Sequence, residues 1–331
     1  MNAKALVVTA PNHVELADAE IPAPREGEAL VEVAYSLVSP GTELRCMAGK
    51  QPGCDFPYIP GYAAAGVVLE AGPGLAIEPG TRVFCMGTSR CDNYKLNWGG
   101  HVSLSVQPAA RLFPLPDEID LVEAPMAKLA GIAHRGFRLS RPMAYEKVAA
   151  VGLGPIGQLS ARLHAVSGAH VVGADLSEAR VSLLEAAGVD AVLPGKGLAE
   201  AFASVFPSGA DVVVDSTGVN GVFRQVFALA KDFPSRNGDA PRGARILMQG
   251  SYPGDVAFDY HDFFRKEASI HLPRDCQPED IAAALDLMRR GKLKTRDLVS
   301  EVYAPERAAE AYQTLLEGKG DTLTVAFDWK D

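Results

Sequence analysis

Cysteine is scarce in this chain: Cys46, Cys54, Cys85, Cys91 and Cys276 are the only five among 331 residues. An odd count this low argues against a disulfide framework and for free thiols in a reducing compartment. No Cys-x-x-Cys pair occurs, so a structural zinc site built from these thiols is not expected. Basic residues are also in deficit, with 32 Lys and Arg against 41 Asp and Glu, a formal charge of −9 and a pI near 5.4. An acidic chain argues against nucleic acid as a partner. No apolar run approaches ~18 residues, the length that crosses a bilayer. Met1-Asn2-Ala3-Lys4 leads into strand-like sequence without a signal-peptide pattern. The expectation is a cytoplasmic protein with no membrane partner.

Hydrophobic residues make up 47% and charged residues 22%, the composition of a folded globular chain. At roughly 100–200 residues per domain, the length suits two domains. The first part reads as β-rich. Lys4–Thr9, Glu28–Ser36, Gly66–Ala71 and Thr81–Met86 are strand candidates, and Pro-Gly at 40–41, 52–53, 60–61, 73–74 and 79–80 marks turns between them. Short strands with dense turns suggest a barrel-like domain. Ala124–Leu139 is helix-like. From Lys147 apolar strands alternate with helices: Lys147–Gly152, Val171–Asp175, Val189–Leu193, Asp211–Asp215, Arg245–Gly250 and Ser269–Leu272 are the strands. That alternation predicts a doubly wound parallel sheet covered on both faces. Pro278-Glu279-Asp280 and Pro305-Glu306 open two later helices, and Thr322–Asp328 is the last strand candidate.

Val151-Gly152-Leu153-Gly154-Pro155-Ile156-Gly157 lies between an apolar strand and a helix. That context turns a common glycine spacing into a dinucleotide-binding fingerprint. Gly152 allows the tight turn, Gly154 lets a pyrophosphate approach the backbone, and Gly157 lets helix and strand pack. Pro155 and Ile156 open the helix, whose free N–H groups attract phosphate. Asp175, 18 residues beyond Gly157, ends the next strand. A carboxylate there accepts from the ribose hydroxyls of NAD and repels the 2′-phosphate of NADP, so NAD is the expected cofactor. Leu176 and Arg180 follow it. Ser216 and Thr217, and then Gly250 and Ser251, end later strands on the side where a dinucleotide lies.

With these residues in view, the chain resembles the medium-chain dehydrogenase/reductase superfamily over nearly its full length. Glu28-Ala29-Leu30-Val31-Glu32-Val33, Pro60-Gly61-Tyr62-Ala63-Ala64-Ala65-Gly66-Val67-Val68, Gly80-Thr81-Arg82-Val83, Gly99-Gly100-His101-Val102 and Phe264-Arg265-Lys266-Glu267 carry the likeness. It implies an α/β architecture in which a GroES-like β-barrel catalytic domain, residues 1–140 completed by 292–331, joins a Rossmann domain at 141–291. It also implies association as a homodimer or homotetramer. Ser39-Pro40-Gly41-Thr42-Glu43-Leu44, Pro60-Gly61-Tyr62 and the ending Val325-Ala326-Phe327-Asp328-Trp329 resemble the bacteriochlorophyllide dehydrogenase branch. Lys128 and a longer segment around Ser235–Arg242 depart from it.

The departures from the zinc enzymes of the family bear on chemistry. Their Cys ligand corresponds to Ser39, their His ligand to Tyr62, and a third ligand falls near Met126 or Lys128. Their four-Cys lobe is reduced to Cys85 and Cys91. Ser, Tyr and Met are poor donors for zinc, so the resemblance implies a zinc-independent branch. Without a metal, a side chain must take the hydroxyl proton. Tyr62, Thr42, Glu43 and Lys128 are the candidates, the last as a cation beside the phenol. Ser39, His101 and His134 are candidate substrate contacts. The expected activity is NAD-dependent hydride transfer with a small secondary alcohol such as a polyol or sugar. A quinone or enoyl reductase, a hydroxyethyl-tetrapyrrole dehydrogenase and a non-catalytic dinucleotide sensor are the alternatives.

Overall fold

The computed structural model describes residues 1–233, 242–318 and 322–330. All but Arg242 of the long segment at Ser235–Arg242 lies outside the described residues. The chain divides into two units. One comprises Met1–Leu129, Ala284–Gly291 and Thr295–Asp331, and the other Ala130–Ala283 and Lys292–Lys294. Besides the divisions at 291/292 and 294/295, two fall inside the helices Met126–Ser140 and Pro278–Arg289, at 129/130 and 283/284. Both helices run unbroken across them, so composition alone could not mark the change. No helix among the described residues is long and apolar enough to cross a membrane.

The second unit holds a six-stranded parallel sheet. Its spatial order is Asp190–Val192, His170–Ala174, Lys147–Val151, Val212–Asp215, Arg245–Met248 and Ser269–His271. The sequence reverses direction beside Lys147–Val151, which gives the doubly wound Rossmann order. The apolar runs explain the burial. Ala149 and Val151 join Val213, Phe223 and Phe227 in one core, while Val148 and Ala150 join Val212, Ala161 and Leu184 in another. Alternate residues thus serve opposite faces, as the period-2 pleat requires. Each fully buried Val, Leu or Phe contributes about 1.5–3 kcal/mol, and a charge at Val213 would disrupt the core on the face it shares with Phe223 and Phe227.

The first unit is built on two sheets. The smaller contains Asn2–Ala10 paired antiparallel with His13–Glu20. In the larger, Glu28–Leu37 is the hub, pairing antiparallel with Ala64–Ala71, Leu104–Pro108 and the late strand Thr324–Asp328. Gly66 is needed in that ladder, because a Cβ there would lie 1.9 Å from the Glu32 carbonyl oxygen.

Three of the five Pro-Gly pairs, at 52–53, 73–74 and 79–80, are turns, and Pro60-Gly61 lies in irregular backbone. Gly53, Gly61, Gly74 and Gly80 all have positive φ, the conformation glycine adopts without cost. The fifth is helical: Pro40 and Gly41 form the first turn of the helix Pro40–Met47. Proline suits that position because its missing N–H would be unpaired there in any case. The carboxylate of Glu43 reaches back to accept the Ser39 N–H at 2.7 Å, closing the helix start.

Candidate active site

In the second unit, the loop after Lys147–Val151 has the properties of a phosphate cradle. Gly152 has φ +85°, and a Cβ on Gly157 would lie 1.7 Å from the Gly152 carbonyl oxygen. Only glycine fits at either place. Gly154, by contrast, starts the helix Pro155–Val166, and a Cβ there would meet nothing within 4 Å. Space is left in front of the helix N-terminus, where unpaired N–H groups favour an anion. Pro155 is its first residue, and Ile156 stands half-buried behind it.

Asp175 follows the strand His170–Ala174 and secures the loop. Its Oδ2 accepts the Leu153 N–H at 2.6 Å and its Oδ1 the Ser177 N–H at 2.9 Å. A carboxylate has about four acceptor positions, so capacity remains for ribose hydroxyls. Arg180 Nη1 lies 3.6 Å from Asp175 Oδ2, and Leu176 is 88% exposed. Asp215, fully buried, ends Val212–Asp215, and its Oδ1 accepts both the Thr217 N–H and the Thr217 hydroxyl, at 2.9 and 2.7 Å. The Thr217 hydroxyl is therefore turned inward. Ser216 Oγ and Asp215 Oδ2 are buried without a partner among the described residues. The Gly250 N–H donates to the Asp215 carbonyl at 2.9 Å, and a Cβ on Gly250 would lie 2.6 Å from the Gly218 nitrogen. Ser251 is exposed beside it. The glycine cradle, the secured carboxylate and the orphaned polar atoms all fit a dinucleotide.

His134 also belongs to the second unit. Its Nδ1 lies 2.9 Å from Asp280 Oδ1, with Arg138 on the same carboxylate. A histidine hydrogen-bonded to a buried carboxylate in that position has a sufficient structural reason to be there.

In the first unit, the residues singled out around Ser39 and Tyr62 converge. The Tyr62 hydroxyl donates to Ser39 Oγ. Lys128 Nζ stands 5.6 Å from the centre of the Tyr62 ring, and the Trp98 ring meets that ring edge-on at 5.2 Å. Behind this pair lies a sealed polar chain. The Trp329 indole N–H donates to Ser36 Oγ at 2.8 Å, and Ser36 Oγ lies 2.8 Å from His101 Nδ1. His101 Nε2 is 2.9 Å from Glu43 Oε2, which also accepts the Tyr312 hydroxyl at 3.0 Å. One assignment satisfies every group: His101 carries its proton on Nε2 and donates to the carboxylate, and Nδ1 accepts from Ser36. Burial and the Glu43 charge push the Tyr312 phenol well above its ordinary range, so it remains a donor.

The arrangement sorts the candidates. Glu43 and His101 are essentially inaccessible, at 1% and 0% exposure, and both carboxylate oxygens of Glu43 are occupied. Both ring nitrogens of His101 are likewise held, by Ser36 and Glu43. Thr42 lies half-buried on the same helix, its N–H donating to the Ser39 carbonyl at 3.2 Å. Ser36, Tyr312, Trp329 and Trp98 escaped the sequence reading. For Trp98 a signal existed, since it immediately precedes Gly99-Gly100-His101. The donors at the expected metal position are a serine hydroxyl, a phenol and a lysine, and among the described residues no three His, Cys, Asp or Glu side chains group as a metal site. This donor set does not fit zinc.

Two family models match the chain. The zinc-binding dehydrogenase model covers residues 155–290, and the alcohol dehydrogenase GroES-like domain model covers residues 25–117. The 2-desacetyl-2-hydroxyethyl bacteriochlorophyllide A dehydrogenase of Cereibacter sphaeroides is 28% identical over 100% of this chain and 99% of its own length. The L-galactonate-5-dehydrogenase of Escherichia coli is 26% identical, with 93% of this chain and 94% of that one covered. An alcohol dehydrogenase from Escherichia coli CFT073, solved in complex with NADH, shares the fold with a TM-score of 0.85 at 18% identity, over 99% of both chains. The GroES-like sheets, the doubly wound parallel sheet with its glycine cradle, and these full-length matches agree. The chain belongs to the medium-chain dehydrogenase/reductase superfamily.

Proposed function

We propose that this protein interconverts a secondary alcohol and its ketone with NAD, without zinc, and that Ser39 and Tyr62 carry the hydroxyl proton. Membership of the family makes it an oxidoreductase of alcohols that uses a nicotinamide cofactor. The observation carrying the finer reading is the hydrogen bond from the Tyr62 hydroxyl to Ser39 Oγ, at the position where the resemblance expects metal ligands.

When bound, the nicotinamide accepts or supplies the hydride. The protein must handle the accompanying proton. In the reducing direction Ser39 accepts from Tyr62 and has its own proton to give to a carbonyl oxygen, and the Tyr62 proton replaces it. In the oxidising direction the substrate hydroxyl donates to Ser39 Oγ, whose proton passes to the Tyr62 phenolate. Lys128, near the ring, stabilises that negative charge by Coulomb attraction. Glu43 positions rather than reacts: it accepts the Ser39 N–H and so fixes the serine. The loop Gly152–Gly157 and the helix N-terminus would hold the pyrophosphate, and Asp175 the adenosine ribose. A carboxylate there disfavours a 2′-phosphate, and Arg180 is already engaged with it.

Turnover of NAD with a panel of secondary alcohols tests this reading. Tyr62→Phe is expected to lower kcat by about 10²-fold or more, the usual scale for an acid–base group. NADH affinity should stay within about threefold, since the cofactor contacts are elsewhere. Full kcat in Tyr62→Phe would refute the relay.

A further inference from the structure

Two thiols meet in the first unit, in a cluster that the proton relay does not use. Cys46 lies on the helix Pro40–Met47 and is 1% exposed, and Cys54, half-buried, packs against the same apolar core. Cys54 stands within hydrogen-bonding reach of the Cys46 thiol. Asn97 completes the group, its Nδ2 donating to Cys54 Sγ at 3.0 Å. Both cysteines are free. In a reducing compartment a disulfide, where one forms, is transient and serves catalysis or redox sensing.

The two thiols divide the work. Burial, with Cys54 and the Glu43 carboxylate nearby, pushes the Cys46 thiol up to about 12, so it stays protonated and does not react first. Cys54 is the more exposed of the two, and its backbone is the looser. The Cys54 N–H reaches the Gln51 carbonyl only at 3.4 Å, a long bond, and Gly49 and Gly53 before it turn at φ +67° and +83°. A Cβ on Gly53 would meet nothing within 4 Å, so the loop has open space around it. Cys46 is fixed in its helix, its carbonyl accepting the Gly49 N–H at 2.9 Å. Joining the two sulfurs therefore draws Cys54 towards Cys46 and away from Asn97.

That movement acts next to the proposed proton carriers. Asn97 precedes Trp98, whose φ of +71° is a left-handed conformation that a bulky side chain adopts only under constraint. Trp98 is 42% exposed, and its ring meets Tyr62 edge-on. The Asn97 and Gly99 N–H groups both donate to the Ile59 carbonyl, at 3.0 and 3.2 Å, and the Asn97 side chain adds a third tie, to Cys54. Losing that tie from a strained segment lets the indole shift against Tyr62. Cys46 itself follows Glu43 by one helical turn, and Glu43 fixes Ser39.

We propose that Cys46 and Cys54 form a modification site at which hydrogen peroxide closes a reversible disulfide that slows turnover. The Cys54 sulfur attacks one peroxide oxygen, the O–O bond breaks, and a sulfenic acid and one water result. The Cys46 sulfur then attacks the sulfenic sulfur and forms the S–S bond, and its proton leaves with the displaced hydroxyl as a second water. The two thiols together give up two electrons, and the peroxide takes them. A thiol reductant reverses the step by exchange.

The test treats the full chain with hydrogen peroxide. Lys50 lies between the two cysteines, so trypsin separates their peptides unless a disulfide joins them. The expected result is a linked pair of peptides carrying Cys46 and Cys54, a free-thiol count falling from five to three, and kcat lower by at least about fivefold, all reversed by dithiothreitol. Cys54→Ser keeps an acceptor for Asn97, and Cys46→Ala keeps the apolar packing. Both should hold the native rate and lose the response to peroxide. Absence of the linked pair, or an active enzyme whose rate the link leaves unchanged, would overturn the proposal. The rate rests on the alcohol oxidoreductase reading, whereas the link and the tryptophan fluorescence do not. A link that changes the fluorescence, with no alcohol turned over in either state, would sink that reading and leave the thiol site standing. Turnover that peroxide slows equally in the native chain and in Cys54→Ser would do the reverse.

Discussion

The two regions that carry chemistry solve the problem of polarity in opposite ways. Around Gly152–Gly157 the groups left over at the helix start are backbone N–H groups facing the open space at Gly154, while behind them the buried side-chain atoms Ser216 Oγ and Asp215 Oδ2 have no partner among the described residues. Around Ser39 and Tyr62 the polar groups are side chains that satisfy one another, from Trp329 through Ser36 and His101 to Glu43 and Tyr312. The first region is prepared for a ligand carrying its own charge. The second is closed on itself, and the proposed function places the chemistry on the Ser39–Tyr62 pair beside it. A buried network of this kind holds geometry well, but loss of one member strands the others.

Mutations can break the contrast. Glu43→Ala should have the largest effect, because it leaves the Ser39 N–H, the Tyr312 hydroxyl and His101 without their acceptor. At about 1–3 kcal/mol per stranded buried group, a loss of about 3 kcal/mol or more is expected in urea unfolding. A loss under about 1 kcal/mol would show that the network relaxes or admits water, and the closed description would fail. In the open region the cost should appear in binding instead. Gly157→Ala forces the helix away from the Gly152 carbonyl and should weaken NADH binding by more than about tenfold, or about 1.4 kcal/mol. Titration of NADH fluorescence would measure it, and unchanged affinity would remove the loop from the cofactor site. Asp175→Ser should be smaller and selective, narrowing a preference for NAD over NADP by up to about tenfold as judged from kcat/KM. A native enzyme that already prefers NADP would contradict the role given to Asp175.

The same contrast explains what could be read from the sequence. The glycine loop, its flanking strand and helix, and Asp175 span fewer than thirty consecutive residues, and steric necessity dictates the residue types. The apolar strands of the parallel sheet were legible for a related reason, since both faces are covered and the runs are unbroken. The network was not legible. Tyr312 and Glu43 are 269 residues apart, and Trp329 and Ser36 are 293 apart, so no local pattern pairs them. The sequence offers Glu43 as a proton acceptor, but both its oxygens are taken by Ser39, His101 and Tyr312, partners that no local pattern announces. Pro40-Gly41 read as a turn because those residues favour turns, yet the Glu43 side chain closes a helix start there. Trp98 stood beside a recognised glycine pair, but only its φ and exposure reveal its strain.

The central claim is that a serine–tyrosine pair occupies the place of a catalytic metal. The most direct measurement is metal content and activity on the same purified sample, before and after treatment with phenanthroline. The account predicts substoichiometric zinc and an oxidation rate that survives the chelator. One tightly held zinc per chain, lost together with activity and restored with it, would contradict the account.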